Sequence, residues 1–460
     1  MIERGNAARA LAASILSVAI AETAAAQTRS DALESEIRAI RERLAQIEAS
    51  QRVPRRAVEA AAVEAGDRPR SWKLPGTNTS MSIGGFVYLH ASVDLSGGGF
   101  VLGSAAPPDA SLASATAEGT AAENRANGGS FQFNARHSRV IIQTSTPTDW
   151  GSLVTLIETD FRAGAGAFFR LRKAYGSLGP VLAGQDDSTF RMLFAEPNAL
   201  DPGFAILTPE SRRAQIRYSH NFGGGLVLKL AAEDPTDGVR VASCTPTSCA
   251  ASTLPVGAAQ RWPDFVGALD YFFPQGRVGL AGTIRELSAD SGGVSALSVH
   301  DRTIGWGFDI GANVQLHRLV RIGGIGFVGE GIGSRIQGIN FTDAVFTIAP
   351  GSNLAQLNAV LTYGGIGWVE VAVAPTVSVL GMGGWAVQEA EDEVAGPTRS
   401  ARKIGLAGLA DYAWFAGGNI IWSPVPQVSI GAEYIHGFAA RYAGPNATLS
   451  RTSVSFRYRF

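Results

Sequence analysis

The heptapeptide "FRLRKAY" (Phe169–Tyr175) sets Arg170 and Arg172 on one side of an extended chain, with Phe169, Leu171 and Tyr175 on the other. The same sorting recurs in "RRAQIRYSH", where Arg213 and Arg217 oppose Ile216 and Tyr218, and in "HSRVIIQ", where Arg139 opposes Val140 and Ile142. A guanidinium group is a rigid fork of donors that fits a carboxylate or phosphate at two points, so this is chemistry for holding anions. "IETDF" adds Glu158 and Asp160 on one face. Two carboxylates so placed could serve as general acid and base, or they could line a polar face and pair with the arginines. Lys173 falls on the apolar side of its strand, where it would snorkel to an interface or lie at a subunit contact.

Other chemistries find little support. "GIGFVG" (Gly324–Gly329) matches a dinucleotide fingerprint, but no helical pattern follows it; it reads as glycine where strands pack closely. There is no H-E-x-x-H, Walker A or G-x-S-x-G pattern, and the six histidines show no ligand spacing, so neither metal nor cofactor is expected. A net charge of −1 gives no basic surplus for nucleic acid. Of the 39 basic residues only four are lysine, a bias that codon usage or two-point anion recognition would each produce.

The elements that must carry these residues are strands. "SMSIGGFVYLHASVDL" places Ile83, Val87, Leu89, Ala91, Val93 and Leu95 on one face, and Ser82, Tyr88, His90, Ser92 and Asp94 on the other. Similar runs recur to the last residue, where Val454, Phe456, Tyr458 and Phe460 alternate with Ser453, Ser455, Arg457 and Arg459. Short connectors such as "LGP", "NFGGG" and "FPQGR" alternate with long ones read as polar, 96–130, 186–212, 235–262 and 288–302. Short turns at one rim and long loops at the other, with about sixteen strands, predict an all-β, antiparallel transmembrane barrel. In lipid only a helix or a closed barrel satisfies every backbone group. Arginine on the lipid face near the midplane costs about 2–4 kcal/mol, so the arginines should point inward. The glycine pairs, Pro375 and Glu370 within 354–387 argue against a membrane helix there.

Residues 1–26 have the basic start, the apolar run and the small-residue site of a signal peptide, which would export the mature chain. In that setting Cys244 and Cys249 of "SCTPTSCA" favour a small loop disulfide. Two thiolates alone fall short of a tetrahedral metal site. Over 27–50, Leu33, Ile37, Ile40, Leu44 and Ile47 keep a 4-3-4-3 spacing, the seam of a coiled coil. Isoleucine at both core positions favours trimers or larger bundles, although about three heptads are marginal alone and the helix could instead pack on its own domain. Residues 51–70 read as a linker, and 71–460 as the barrel.

The stretches "SWKLPGTNTSMSIGGFVYLHASVDL", "SRVIIQTSTPTDWGSLVTLIETDF", "FRLRKAYGSLGPVLAGQDDSTF" and "RRAQIRYSHNFGGGLVLKLAAEDP" resemble the DcaP-like outer-membrane porins. The resemblance implies a trimer of sixteen-stranded barrels in the bacterial outer membrane, a periplasmic coiled coil, and passive uptake of small anions such as dicarboxylates. It also implies that Arg139, Arg170, Arg172, Arg213 and Arg217 are pore arginines. Two rivals stand beside it. One is a membrane hydrolase using Glu158 or Asp160; the other is a tether to peptidoglycan or periplasmic proteins through the coiled coil.

Overall fold

The computed structural model describes residues 33–46, 64–96, 129–162, 169–201, 207–209, 211–235, 242–244, 249–251, 260–290, 300–348, 355–393, 403, 406 and 409–460. They divide into two units. The first contains a helix over 33–46, rich in the Ala, Leu, Glu and Arg that favour helix. Leu33, Ile37, Ile40 and Leu44 are all exposed along it; Ile47, the signal segment and most of the expected linker lie outside the described residues.

The second unit is a closed barrel. Its first strands are β1 (Ser80–Ser96), β2 in two pieces (Ser130–Asn134 and Arg139–Thr148), β3 (Gly151–Asp160) and β4 (Arg170–Leu178). Next come β5 (Val181–Asp187), β6 (Arg212–Gly223), β7 (Leu226–Glu233) and β8 (Asp264–Phe273). The third quarter is β9 (Gly276–Asp290), β10 (His300–His317), β11 (Val320–Glu330) and β12 (Leu361–Ala374). The last is β13 (Val377–Gln388), β14 (Ala410–Val425), β15 (Val428–Arg441) and β16 (Ala447–Arg459). Every neighbour is antiparallel, and β16 closes on β1 with Arg457 opposite Tyr88. "GIGFVG" lies wholly inside β11. The seven two-residue turns fall at one rim with the chain's end, and the long loops at the other.

The alternation has one physical cause, a chain wet inside and greasy outside. Ile216, Phe265, Ile284, Phe308 and Ile310 point outward and are exposed. A belt of that kind would aggregate in water and is what lipid covers. Trp150, Phe222, Trp422, Tyr458 and Phe460, exposed near the short-turn rim, form the aromatic girdle that explains the aromatic end of the chain. Among the described residues no helix is long and apolar enough to cross a membrane.

A second, four-stranded sheet joins Ala242–Cys244, Cys249–Ala251, Ala344–Ile348 and Ala355–Ala359 from two loops. Its register sets Cys244 opposite Cys249; the two side chains lie outside the described residues.

Candidate functional site

Of the connector 186–212, expected to be a long polar loop, the described residues 188–201 fold instead into the lumen. Phe190, Met192, Ala195 and Leu207 are buried in one core with Ile325, Phe327, Ile366, Leu380, Met382 and Phe415 of the far wall, and Leu200 is buried as well. Fully burying a side chain of that size stabilises by roughly 1.5–3 kcal/mol, so the apolar letters of "FRMLF" dictate the inward path. At its start, Ser188 Oγ and the Thr189 N–H donate to Glu233 at 2.7 and 2.6 Å. Across the barrel, Asn313 donates to the Phe194 carbonyl at 2.8 Å and Trp368 Nε1 to the Ala195 carbonyl at 2.7 Å. The N–H groups of Leu200 and Asp201 donate to Glu433 at 2.7 and 2.9 Å, and Arg451 holds Asp201 at 2.8 Å. The wall makes room with glycine. A Cβ on Gly311 would come within 2.8 Å of Met192, and one on Gly431 within 2.6 Å of Leu200.

Residues 333–337 back this segment. Arg335 is buried and donates to Asp264 at 2.5 Å, and the Gln337 N–H donates to the Thr208 carbonyl at 3.0 Å. What remains open is a cavity of about 670 Å³ against one wall. On the wall side it is lined by Arg139, Glu158, Arg170, Arg172, Lys173 and Arg457, and on the loop side by Leu193 and 196–199.

The wall is a charge ladder fixed by register. Asp160 of β3 sits opposite Arg139 of β2 on one side and Arg170 of β4 on the other. Arg170 grips Asp160 with two bonds, Nε at 3.0 Å and Nη2 at 2.6 Å, the forked geometry of the strongest guanidinium–carboxylate pairs. Arg172 reaches Glu158 at 2.7 Å and Asp160 at 3.0 Å, and Arg139 reaches Glu158 at 3.2 Å. Glu158 and Asp160 are thus lumen-facing braces, and three guanidinium groups share two carboxylates.

Two face assignments are corrected here. The β3–β4 register slips between Glu158 and Thr159, leaving Arg172 as the extra residue of a β-bulge. A bulge turns two consecutive side chains to the same side. Lys173 therefore points into the lumen, where Asp186 holds it at 2.9 Å and Asp187 also pairs with it. Tyr175, two residues on, follows it inward instead of staying with Leu171.

Arg213 and Arg217 point inward as expected, yet neither lines the cavity. Arg213 donates to the Asp234 carbonyl at 3.4 Å, and Arg217 pairs with Asp186 at 3.0 Å. Arg139, Arg170 and Arg172 do line it. Sequence reasoning did not single out Arg191, Arg212 or Arg457, although alternation had put Arg457 on the polar face, and it had set Lys173 on the opposite side. Among the described residues no cluster of His, Cys, Asp and Glu could hold a metal ion.

A closed, even-stranded antiparallel barrel with a lipid-facing belt and a lumen narrowed by an infolded loop is a porin-type channel of the outer membrane. Residues 103–273 match the family described as DcaP outer membrane protein, which bears out the resemblance in the sequence and carries it through 103–130 and loop 235–262. The crystal structure of the outer membrane channel DcaP of Acinetobacter baumannii matches with a TM-score of 0.67 at 17% identity, covering 86% of this chain and all of that one. An anion-selective porin from Comamonas acidovorans matches at a TM-score of 0.51 and 12% identity, over 83% of this chain and 100% of its own. No curated protein matches the chain by sequence. The structures it resembles are described as an outer membrane channel and a porin.

Proposed function

We propose that the protein is a passive pore for small anionic solutes, short dicarboxylates among them. The observation that supports this most is the lining of the constriction, with eight basic side chains against four acidic ones. Fixed positive charge at a narrow point lowers the barrier to an anion and raises it for a cation, and the carboxylates keep binding weak enough for release. In liposomes swelling under an osmotic gradient, a C4 dicarboxylate should enter faster than a cation of similar size. Equal rates would contradict the reading.

The assembly is a homotrimer joined through helix 33–46, whose exposed Ile37, Ile40 and Leu44 have the spacing of a coiled-coil core. Peptidoglycan or a periplasmic protein is a further partner this helix could serve. Deleting 27–50 should leave the barrel folded and shift native gels toward smaller species. If the full mature chain itself runs as a monomer, the heptad argument fails.

Cys244 and Cys249 form a disulfide within their loop. Directly opposite residues of an antiparallel pair lie about 4.5–5.5 Å apart at Cα, inside the range a disulfide spans. Replacing both by serine should loosen that loop while the barrel's melting behaviour stays put. Two free thiols in the mass spectrum of the exported protein would exclude the bond.

A further inference from the structure

Arg457 differs from its neighbours in the constriction. Arg139, Arg170 and Arg172 share Glu158 and Asp160; Lys173 is held by Asp186 and Asp187, and Arg191 by Asp187 and Glu196. Arg457 lines the same cavity and makes no ion pair among the described residues. Aromatic rings hold it instead. Its guanidinium carbon lies 5.2 Å from the centroid of Tyr88, its register partner, and 5.3 Å from that of Phe86. A ring face attracts a guanidinium group without neutralising it, so the positive charge still acts on a solute in the cavity.

Arg139 completes the arrangement. It sits opposite Phe86 on the other flank of β1, with its guanidinium carbon also 5.3 Å from the Phe86 centroid. Two groups each 5.3 Å from one point are at most 10.6 Å apart (twice 5.3). Two forked guanidinium–carboxylate contacts joined by a short alkane bridge a gap of that size.

We propose that Arg457 sets the anion preference of this pore and that, with Arg139 across the Phe86 ring, it forms a two-point site for a short dicarboxylate. This rests on the anion-pore reading above. A monocarboxylate can engage one guanidinium group at a time, so the pair separates dianions from monoanions of similar width. The rival role for Arg457 is purely structural, bracing Phe86 and Tyr88.

The test uses the full mature protein in planar bilayers, comparing wild type, Arg457→Gln and Arg457→Lys. Two readouts are taken: the chloride-to-potassium permeability ratio, and the block of KCl current by succinate relative to acetate. Arg457→Gln should lower the permeability ratio about sixteenfold, since one charge roughly 5 Å from the ion in water changes chloride and potassium permeation about fourfold each in opposite directions. It should weaken succinate block about tenfold, with acetate little changed. Arg457→Lys should keep the permeability ratio and still lose most of the succinate preference, because an ammonium lacks the fork. If Arg457→Gln does not insert, the lysine variant decides alone, since undiminished succinate preference overturns the two-point site. Wild-type values in Arg457→Gln, on an anion-selective wild type, overturn this inference and leave the anion pore standing. A wild type without anion preference removes both.

Discussion

Replacing Arg170 and Arg172 together by glutamine inverts the charge of their ladder, halves the positive surplus lining the cavity and sharply lowers the pore's anion preference. The ladder of Arg139, Arg170 and Arg172 on Glu158 and Asp160 carries one net positive charge; without two of its guanidinium groups it carries one net negative charge. A unit charge roughly 5 Å from an ion in a water-filled lumen is worth about 0.8 kcal/mol, close to fourfold in that ion's permeation. A change of two charges therefore lowers chloride permeation by about sixteenfold and raises that of potassium. Asp160 is 0% exposed, so stripping its partners also destabilises the wall, by about 3–5 kcal/mol where buried pairs have been broken elsewhere. Adding Glu158→Gln and Asp160→Asn removes that strain and restores a positive wall through Arg139 and Arg457. The quadruple variant should thus regain anion preference. A double variant with the wild-type ratio would make the ladder a mechanical brace and put selectivity elsewhere.

The second large effect is on conductance. Excising residues 191–199 and joining the ends through two glycines removes the segment that divides the lumen. Wall-to-wall strand pairing does not depend on that segment, so the barrel should still close. Conductance should rise several-fold, and sugars too wide for the wild type should swell liposomes. The excision also uncovers Phe327, Met382 and Phe415 to water, so the melting temperature should fall. An excised variant with unchanged conductance would mean that the narrowest point lies in another loop.

The barrel was legible because lipid outside and water inside force a period of two on every strand. That rule placed Val454, Phe456 and Tyr458 outward, and Arg139, Arg170, Glu158 and Asp160 inward, and all of them stand so. It failed at Lys173 and Tyr175, where one inserted residue reverses the phase and the local sequence carries no mark of it. It failed again at 188–201, since the length of a connector says nothing about its direction; the apolar run from Phe190 to Phe194 was the available signal. Arg457 was correctly faced but not singled out. Its lack of a carboxylate partner depends on β1 and β16, segments brought together from opposite ends of the barrel sequence.

The most direct test of an anion-selective pore is the zero-current potential of the purified full mature protein in a planar bilayer under a KCl gradient. Chloride moving ahead of potassium would make the dilute side negative, and that is the expected result. A dilute side that becomes positive, or a folded protein that passes no current, would contradict it.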